Sequence, residues 1–110
     1  MAKQLTIFVD IDETLVRNIG AKQIPIPAMV KHVETLFDQG AILYCWSSGG
    51  ADYAKDVTTK LGIAHCFVAF LPKPDVLIDD MPIDKWHLLQ VHPNQAVGMN
   101  LADYNKESTK

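Results

Sequence analysis

Two cysteines, Cys45 and Cys66, are all that this chain of 110 residues carries, and their separation is not that of a metal site. Cys45 sits inside an apolar run, so both read as reduced, buried thiols of an intracellular protein, with no disulfide expected. Long apolar runs are missing as well, none approaching the roughly 18 residues of a membrane span. The start, Met1-Ala2-Lys3-Gln4, enters a strand pattern without the apolar stretch and cleavage site of a signal peptide. A basic surface is also lacking. The formal net charge of -3 argues against a nucleic-acid interface, which needs a positive patch. With 48% hydrophobic and 21% charged residues the composition is that of an ordinary globular protein, neither repetitive nor disordered. The expectation is a cytoplasmic protein made of one domain over residues 1-110.

Strand and helix patterns alternate along the chain. Leu5 to Val9 reads as a strand. Asn18-Ile19-Gly20 is a turn signal able to close a short hairpin within Val16 to Gln23. Pro27 suits the first turn of a helix whose apolar positions are Met29, Val30, Val33, Leu36 and Phe37, with Gly40 as its stop. Ala41 to Trp46 is apolar throughout, as in a strand buried on both faces. Ser47-Ser48-Gly49-Gly50 then leads into a helix with Ala54, Val57 and Leu61 on its buried stripe and Gly62 as its stop. Further strands are expected at Cys66 to Phe70, Val76 to Ile78 and Gln95 to Met99, a helix at Ile83 to Val91, and a frayed tail from Tyr104 to Lys110. Alternation of this kind implies an α/β fold with a parallel sheet covered on both faces. One connection is short: five residues separate Phe70 from Val76, whereas a parallel crossover takes about a dozen.

The chemistry concentrates at strand ends. Ile7-Phe8-Val9-Asp10-Ile11-Asp12-Glu13-Thr14 places two carboxylates where open α/β sheets build their sites. Two carboxylates this close repel unless a cation or a shared proton compensates them, and a solvated acidic turn is the competing reading. Ser47 and Ser48 arrive at the same edge, followed by glycines and a helix start, a natural seat for phosphate. A plain helix cap is by itself the commoner explanation for serine before a helix, and the two roles can coexist. Asp79 and Asp80 follow the expected strand Val76 to Ile78, with Asp84 four residues on. Together with Asp10 and Asp12 they supply the oxygen ligands that Mg2+ prefers. Lys73, just upstream, can balance the acids or hold a phosphate as a point charge, or be an ordinary surface residue.

Asp10-x-Asp12-x-Thr14-Leu15, an apolar strand ending in Ser47, Lys73-Pro74, and Asp79-Asp80-x-x-x-Asp84 resemble, in that order, the four motifs of the haloacid dehalogenase superfamily of phosphatases and phosphotransferases. The resemblance spans most of the chain and implies a three-layer, Rossmann-like α/β core with a central parallel sheet. It implies a Mg2+-dependent phosphomonoester hydrolase in which Asp10 is the nucleophile and Asp12 the general acid and base. Mg2+ would sit between Asp10, the Asp12 carbonyl and Asp80. Asp79 stands where many relatives have glycine, which favours Asp80 as the ligand, and Asp84 would hold metal-bound water or orient the surrounding shell. Ser47, Ser48 and Lys73 would grip the phosphoryl oxygens, and Thr14 would fix the turn after the nucleophile. Lys73 lies closer to Asp79 than in most relatives, which makes Lys55 and Lys60 the reserve candidates.

Relatives usually close over substrate with a cap domain, for which neither Asp12 to Pro27 nor Ser47 to Lys73 leaves room. A capless site implies either a macromolecular phosphate ester or a small phosphorylated metabolite covered by another subunit of a homo-oligomer. A phosphotransferase of the same fold and a non-catalytic phosphate- or metal-binding module are the alternatives. His32, His65, His87 and His92 lie in separate elements and read as surface or satisfied core residues. Trp46 is expected in the core, and Trp86 and His87 are candidates for the pocket mouth.

Overall fold

The computed structural model describes residues 4–108. The reading of Met1 to Lys3 as a leaderless start, and the last two residues of the expected tail, lie outside them. Three strands, β1 (Thr6–Val9), β4 (Ile42–Ser47) and β5 (Phe67–Pro72), form a parallel sheet in the order β1-β4-β5. Between β1 and β4 come a hairpin, β2 (Val16–Ile19) with β3 (Lys22–Pro25), and helix α1 (Pro27–Asp38). Helix α2 (Ala51–Lys60) connects β4 to β5. The short helix α3 (Pro93–Ala96) and helix α4 (Leu101–Ser108) close the chain.

Alternation along β4 explains the core. Leu43, Cys45 and Ser47 are fully buried, while Ile42, Tyr44 and Trp46 point to the other, half-open face. The register sets Val9 beside Cys45 and Ser47 beside Pro72, so the carboxyl ends of all three strands share one rim. Met29, His32, Val33 and Leu36 form the buried stripe of α1, and Ala54, Val57 and Thr58 that of α2. Pro27 opens α1 at its first turn, and the left-handed Gly40 (φ 94°) follows its end. The C-terminal helices pack on α1: His32 Nε2 lies 2.7 Å from the Tyr104 hydroxyl, and the Leu101 N–H donates to Gln39 Oε1. The buried Tyr104 therefore belongs to a helix, where the sequence pattern predicts a frayed tail.

Coverage is one-sided, in contrast to the expectation from the sequence. Both crossovers step in the same direction across the sheet, and right-handed connections then place α1 and α2 on the same face. On the opposite face Phe8 is exposed, stacked on Tyr44 with ring centroids 5.1 Å apart and edge-on to Trp46 at 4.8 Å. Trp46 is thus half-buried against Phe8 and lies outside the core.

The expected strand Val76 to Ile78 does not form. Residues 74–90 are exposed without a break, with Val76 at 76% and Ile78 at 94% relative accessibility. The expected helix Ile83 to Val91 is reduced to one 3-10 turn, Ile83–Lys85, and the expected strand Gln95 to Met99 overlaps α3 and the turn after it. The short connection from β5 excludes a parallel crossover for the first of these. Pro93, which opens a helix at its first turn, accounts for the last difference, and nothing in the structure explains why the helix at Ile83 stops after one turn. No helix among the described residues is long and apolar enough to cross a membrane.

Candidate functional site

Asp10 follows β1 directly, and the chain then makes one helical turn. The N–H groups of Thr14 and Leu15 donate to the Ile11 carbonyl at 3.2 and 2.9 Å, and Glu13 adopts a left-handed φ of 60°. Ile11 and Leu15 are fully buried and anchor the turn, which leaves Asp10 and Asp12 half-buried on the rim. The hydroxyl of Thr14 donates to Asp10 Oδ2 at 3.2 Å, fixing the carboxylate as well as the turn. Lys73 Nζ lies 3.1 Å from Asp10 Oδ1, and the Lys73 N–H donates to the Ser47 carbonyl at 2.9 Å. The lysine that leaves β5 is therefore pinned to the end of β4 and reaches the carboxylate at the end of β1. Of the reserve candidates, Lys55 is exposed on α2 and Lys60 pairs with Asp56 at 3.0 Å.

Asp12 is held by groups that no motif announces. Tyr53 donates its hydroxyl proton to Asp12 Oδ1 at 2.7 Å, and Asn18 Nδ2 donates to the same oxygen at 2.8 Å. Gln23 Nε2 donates to the Tyr53 hydroxyl at 2.8 Å, so the β2–β3 hairpin is tied across the rim to α2. Burial, followed by the bond to Asp12, pushes the Tyr53 hydroxyl above its ordinary pKa. The proton that bridges it to the carboxylate is therefore firmly held. The single hint in the sequence is that Tyr53 lies in the first turn of the helix opened by the Ser-Ser-Gly-Gly loop. Asn18 reads there only as a turn residue.

Ser47 is fully buried, and its Oγ accepts the Gly49 N–H at 3.0 Å, while Ser48 is exposed. Neither serine caps α2, whose N-cap is Gly50 at φ 103° and ψ 171°, a conformation open to glycine alone. Gly49 is required by space: a Cβ there would lie 2.8 Å from the Tyr53 ring. The thiol of Cys45, beneath the rim, is pushed up to about 12 by burial and then by Asp10, so it stays protonated and unreactive.

The structure brings together Asp10, Asp12, Thr14, Ser47 and Lys73. Asp79, Asp80 and Asp84 lie apart on the exposed segment 74–90, where Asp79 Oδ1 accepts the N–H of Met81 at 2.8 Å. Among the described residues no three His, Cys, Asp or Glu side chains form a group able to hold a metal ion. Among the described residues the donor set expected from the sequence is not gathered into one group. Trp86 and His87 also lie on that segment, with the Trp86 indole donating to the Met81 carbonyl at 3.2 Å. A groove of about 430 Å³ between Leu89, Val91, Met99 and α4 contains none of the site residues. His32 is a satisfied core histidine, and His65 stacks edge-on with Phe37 at 5.7 Å.

No family model matches the chain, and no curated protein matches it. A solved structure from Vibrio cholerae, described only as a structural-genomics target, is 18% identical, with a TM-score of 0.62 over 96% of this chain and 97% of that one. The likeness is one of fold: a mixed α/β chain with a small parallel sheet.

Proposed function

We propose that the chain is a phosphomonoester hydrolase working through an aspartyl-phosphate on Asp10, built on a haloacid-dehalogenase-like core reduced to three parallel strands and lacking a cap. The observation that carries the reading is the rim constellation. A strand-end carboxylate is paired with a lysine from another strand, and a second carboxylate, two residues on, is oriented by three polar side chains.

The residues divide the work as follows. An incoming phosphate dianion draws the Lys73 ammonium from Asp10 Oδ1, so the same group that balances the empty site grips the substrate and releases the nucleophile. Backbone N–H groups at the start of α2 and the exposed Ser48 supply further donors. Thr14 holds Asp10 Oδ2, which leaves Oδ1 to attack phosphorus. As the Oδ1–P bond forms, the ester P–O bond breaks and the departing oxygen takes a proton from Asp12. Because Oδ1 of Asp12 already accepts from Tyr53 and Asn18, Oδ2 is the oxygen that carries this proton. In the second half-reaction Asp12 removes a proton from water, whose oxygen attacks phosphorus, breaks the Asp10–phosphate bond and frees inorganic phosphate.

Mg2+ is the cofactor that the sequence resemblance implies. Among the described residues Asp10 and Asp12 are the expected ligands found together at the rim, so no step is routed through it. An open rim without a cap suits a substrate that brings its own cover, or one covered by another subunit. A second reading, a binding module without turnover, draws on the separation of Asp79 and Asp80 from the rim. An intact, oriented Asp12 speaks for catalysis, since binding requires no general acid.

Acid quenching during turnover of an aryl phosphate, followed by mass spectrometry of peptides, tests the intermediate. A single phosphoryl group on the Asp10 peptide is expected. Turnover with label on a serine, a histidine or no residue would rule the mechanism out.

A further inference from the structure

Asn18 and Gln23 face each other across the β2–β3 hairpin. Their side chains are joined, Gln23 Nε2 donating to Asn18 Oδ1 at 3.2 Å. The same Gln23 nitrogen donates to the Tyr53 hydroxyl at 2.8 Å. Tyr53 and the Asn18 amide then each donate to Asp12 Oδ1, at 2.7 and 2.8 Å. Asp12, Tyr53, Gln23 and Asn18 thus close a ring that joins the turn after β1, the hairpin and α2. Every proton in it points the same way. The Gln23 amide feeds both branches, and both end on one oxygen of one carboxylate, so each bond polarises the next.

Fastening the hairpin does not call for such a ring. Glu13 does that separately, accepting the Asn18 N–H at 3.0 Å and lying 3.7 Å from Arg17 Nε. What the ring adds is a fixed carboxylate. With Oδ1 of Asp12 bound twice, the group cannot turn about its last bond, and Oδ2 keeps one position.

A fixed proton donor matters to one class of leaving group. Nitrophenolate, carboxylate and phosphate depart from phosphorus as stable anions and need no proton. The oxygen of an ordinary alcohol leaves as a strongly basic alkoxide unless a proton reaches it as the P–O bond breaks.

We propose that Gln23 is a positioning residue for Asp12, acting through Tyr53 and Asn18, and that the site is built for phosphomonoesters of unactivated alcohols. Aryl esters, acyl phosphates and phosphoanhydrides draw no benefit from the ring. The proposal rests on the hydrolase reading above. As Asp10 Oδ1 bonds to phosphorus, the ester P–O bond breaks and its electron pair stays on the departing oxygen. The proton on Asp12 Oδ2 moves to that oxygen, giving the free alcohol and a carboxylate to which Tyr53 and Asn18 donate.

The test uses two esters of similar shape, nitrophenyl phosphate and nitrobenzyl phosphate, of which only the second releases an alcohol. The quantity compared is kcat/KM, which covers the steps up to departure of the leaving group. Gln23→Met keeps the bulk of the side chain and removes its donor, and Tyr53→Phe removes the hydroxyl between Gln23 and Asp12. In each folded variant kcat/KM is expected to fall about tenfold more on the nitrobenzyl ester, a part of the roughly 10²–10⁴ that a general acid contributes. The double variant is expected to lose less than the product of the two single losses, since both residues act on one path.

Equal losses on the two esters would make the ring a structural tie and overturn the proposal, while turnover by the wild type leaves the hydrolase reading standing. Losses that multiply in the double variant would overturn the action of Gln23 through Tyr53. A folded wild type that turns over neither ester would refute the hydrolase reading and the proposal with it.

Discussion

Asp12 is held by Tyr53, and Tyr53 is held by Gln23, a chain of hydrogen bonds in which each link can be cut without touching substrate. Tyr53→Phe keeps the ring and loses the proton that fixes Asp12. It is expected to lower kcat about tenfold, a part of the roughly 10²–10⁴ that a general acid and base contributes, with KM unchanged. Steady-state kinetics check this, and a pure KM effect would contradict it. Gly49→Ala should move kcat in the same direction by pushing the Tyr53 ring aside, since its Cβ would lie 2.8 Å away.

The pair of His32 and Tyr104 carries a prediction about pH. Burial lowers the His32 pKa below its ordinary 6.5, so between the lowered value and 6.5 the unfolded chain binds the extra proton. Stability is then fully present above pH 6.5 and falls as the pH drops below it, by at most about 1.4 kcal/mol per pH unit for one proton. Thermal melts between pH 5 and 7.5 should show the slope in the wild type, and His32→Gln should flatten it.

At the scale of elements, what was legible in the sequence followed period and punctuation. Pro27 and Gly40 bracket α1, Asn18-Ile19-Gly20 lies at the hairpin turn, and the apolar run into Ser47 is β4. Asp10, Asp12, Ser47 and Lys73 were legible because each sits at a strand end, and one register sets all three strand ends on a common rim. Tyr53, Asn18 and Gln23 were not, because long-range hydrogen bonds leave no local pattern. Val76 to Ile78 misleads for a different reason. Its composition is that of a strand, but a strand also requires a neighbour, and the short connection from β5 excludes a parallel crossover. Central β4 is where packing counts most, so Leu43→Ala, at a fully buried position, is expected to lower unfolding free energy by about 2–5 kcal/mol in urea titration. Gly50→Ala should cost about 1–3 kcal/mol through backbone strain alone, because φ 103° with ψ 171° excludes other residues.

At the scale of the whole molecule, one face of the sheet is packed by α1 and α2 and the other is bare around Phe8. Lys73, Asp10 and Asp12 sit half-buried at the carboxyl rim of the sheet. Release of inorganic phosphate from an aryl phosphate and a panel of phosphorylated metabolites, with Mg2+ and with EDTA, beside purified Asp10→Asn, tests the central claim most directly. Turnover that is present in the wild type and absent in the folded variant is the expected result. Equal turnover by Asp10→Asn, or none by a folded wild type on any ester, would contradict it.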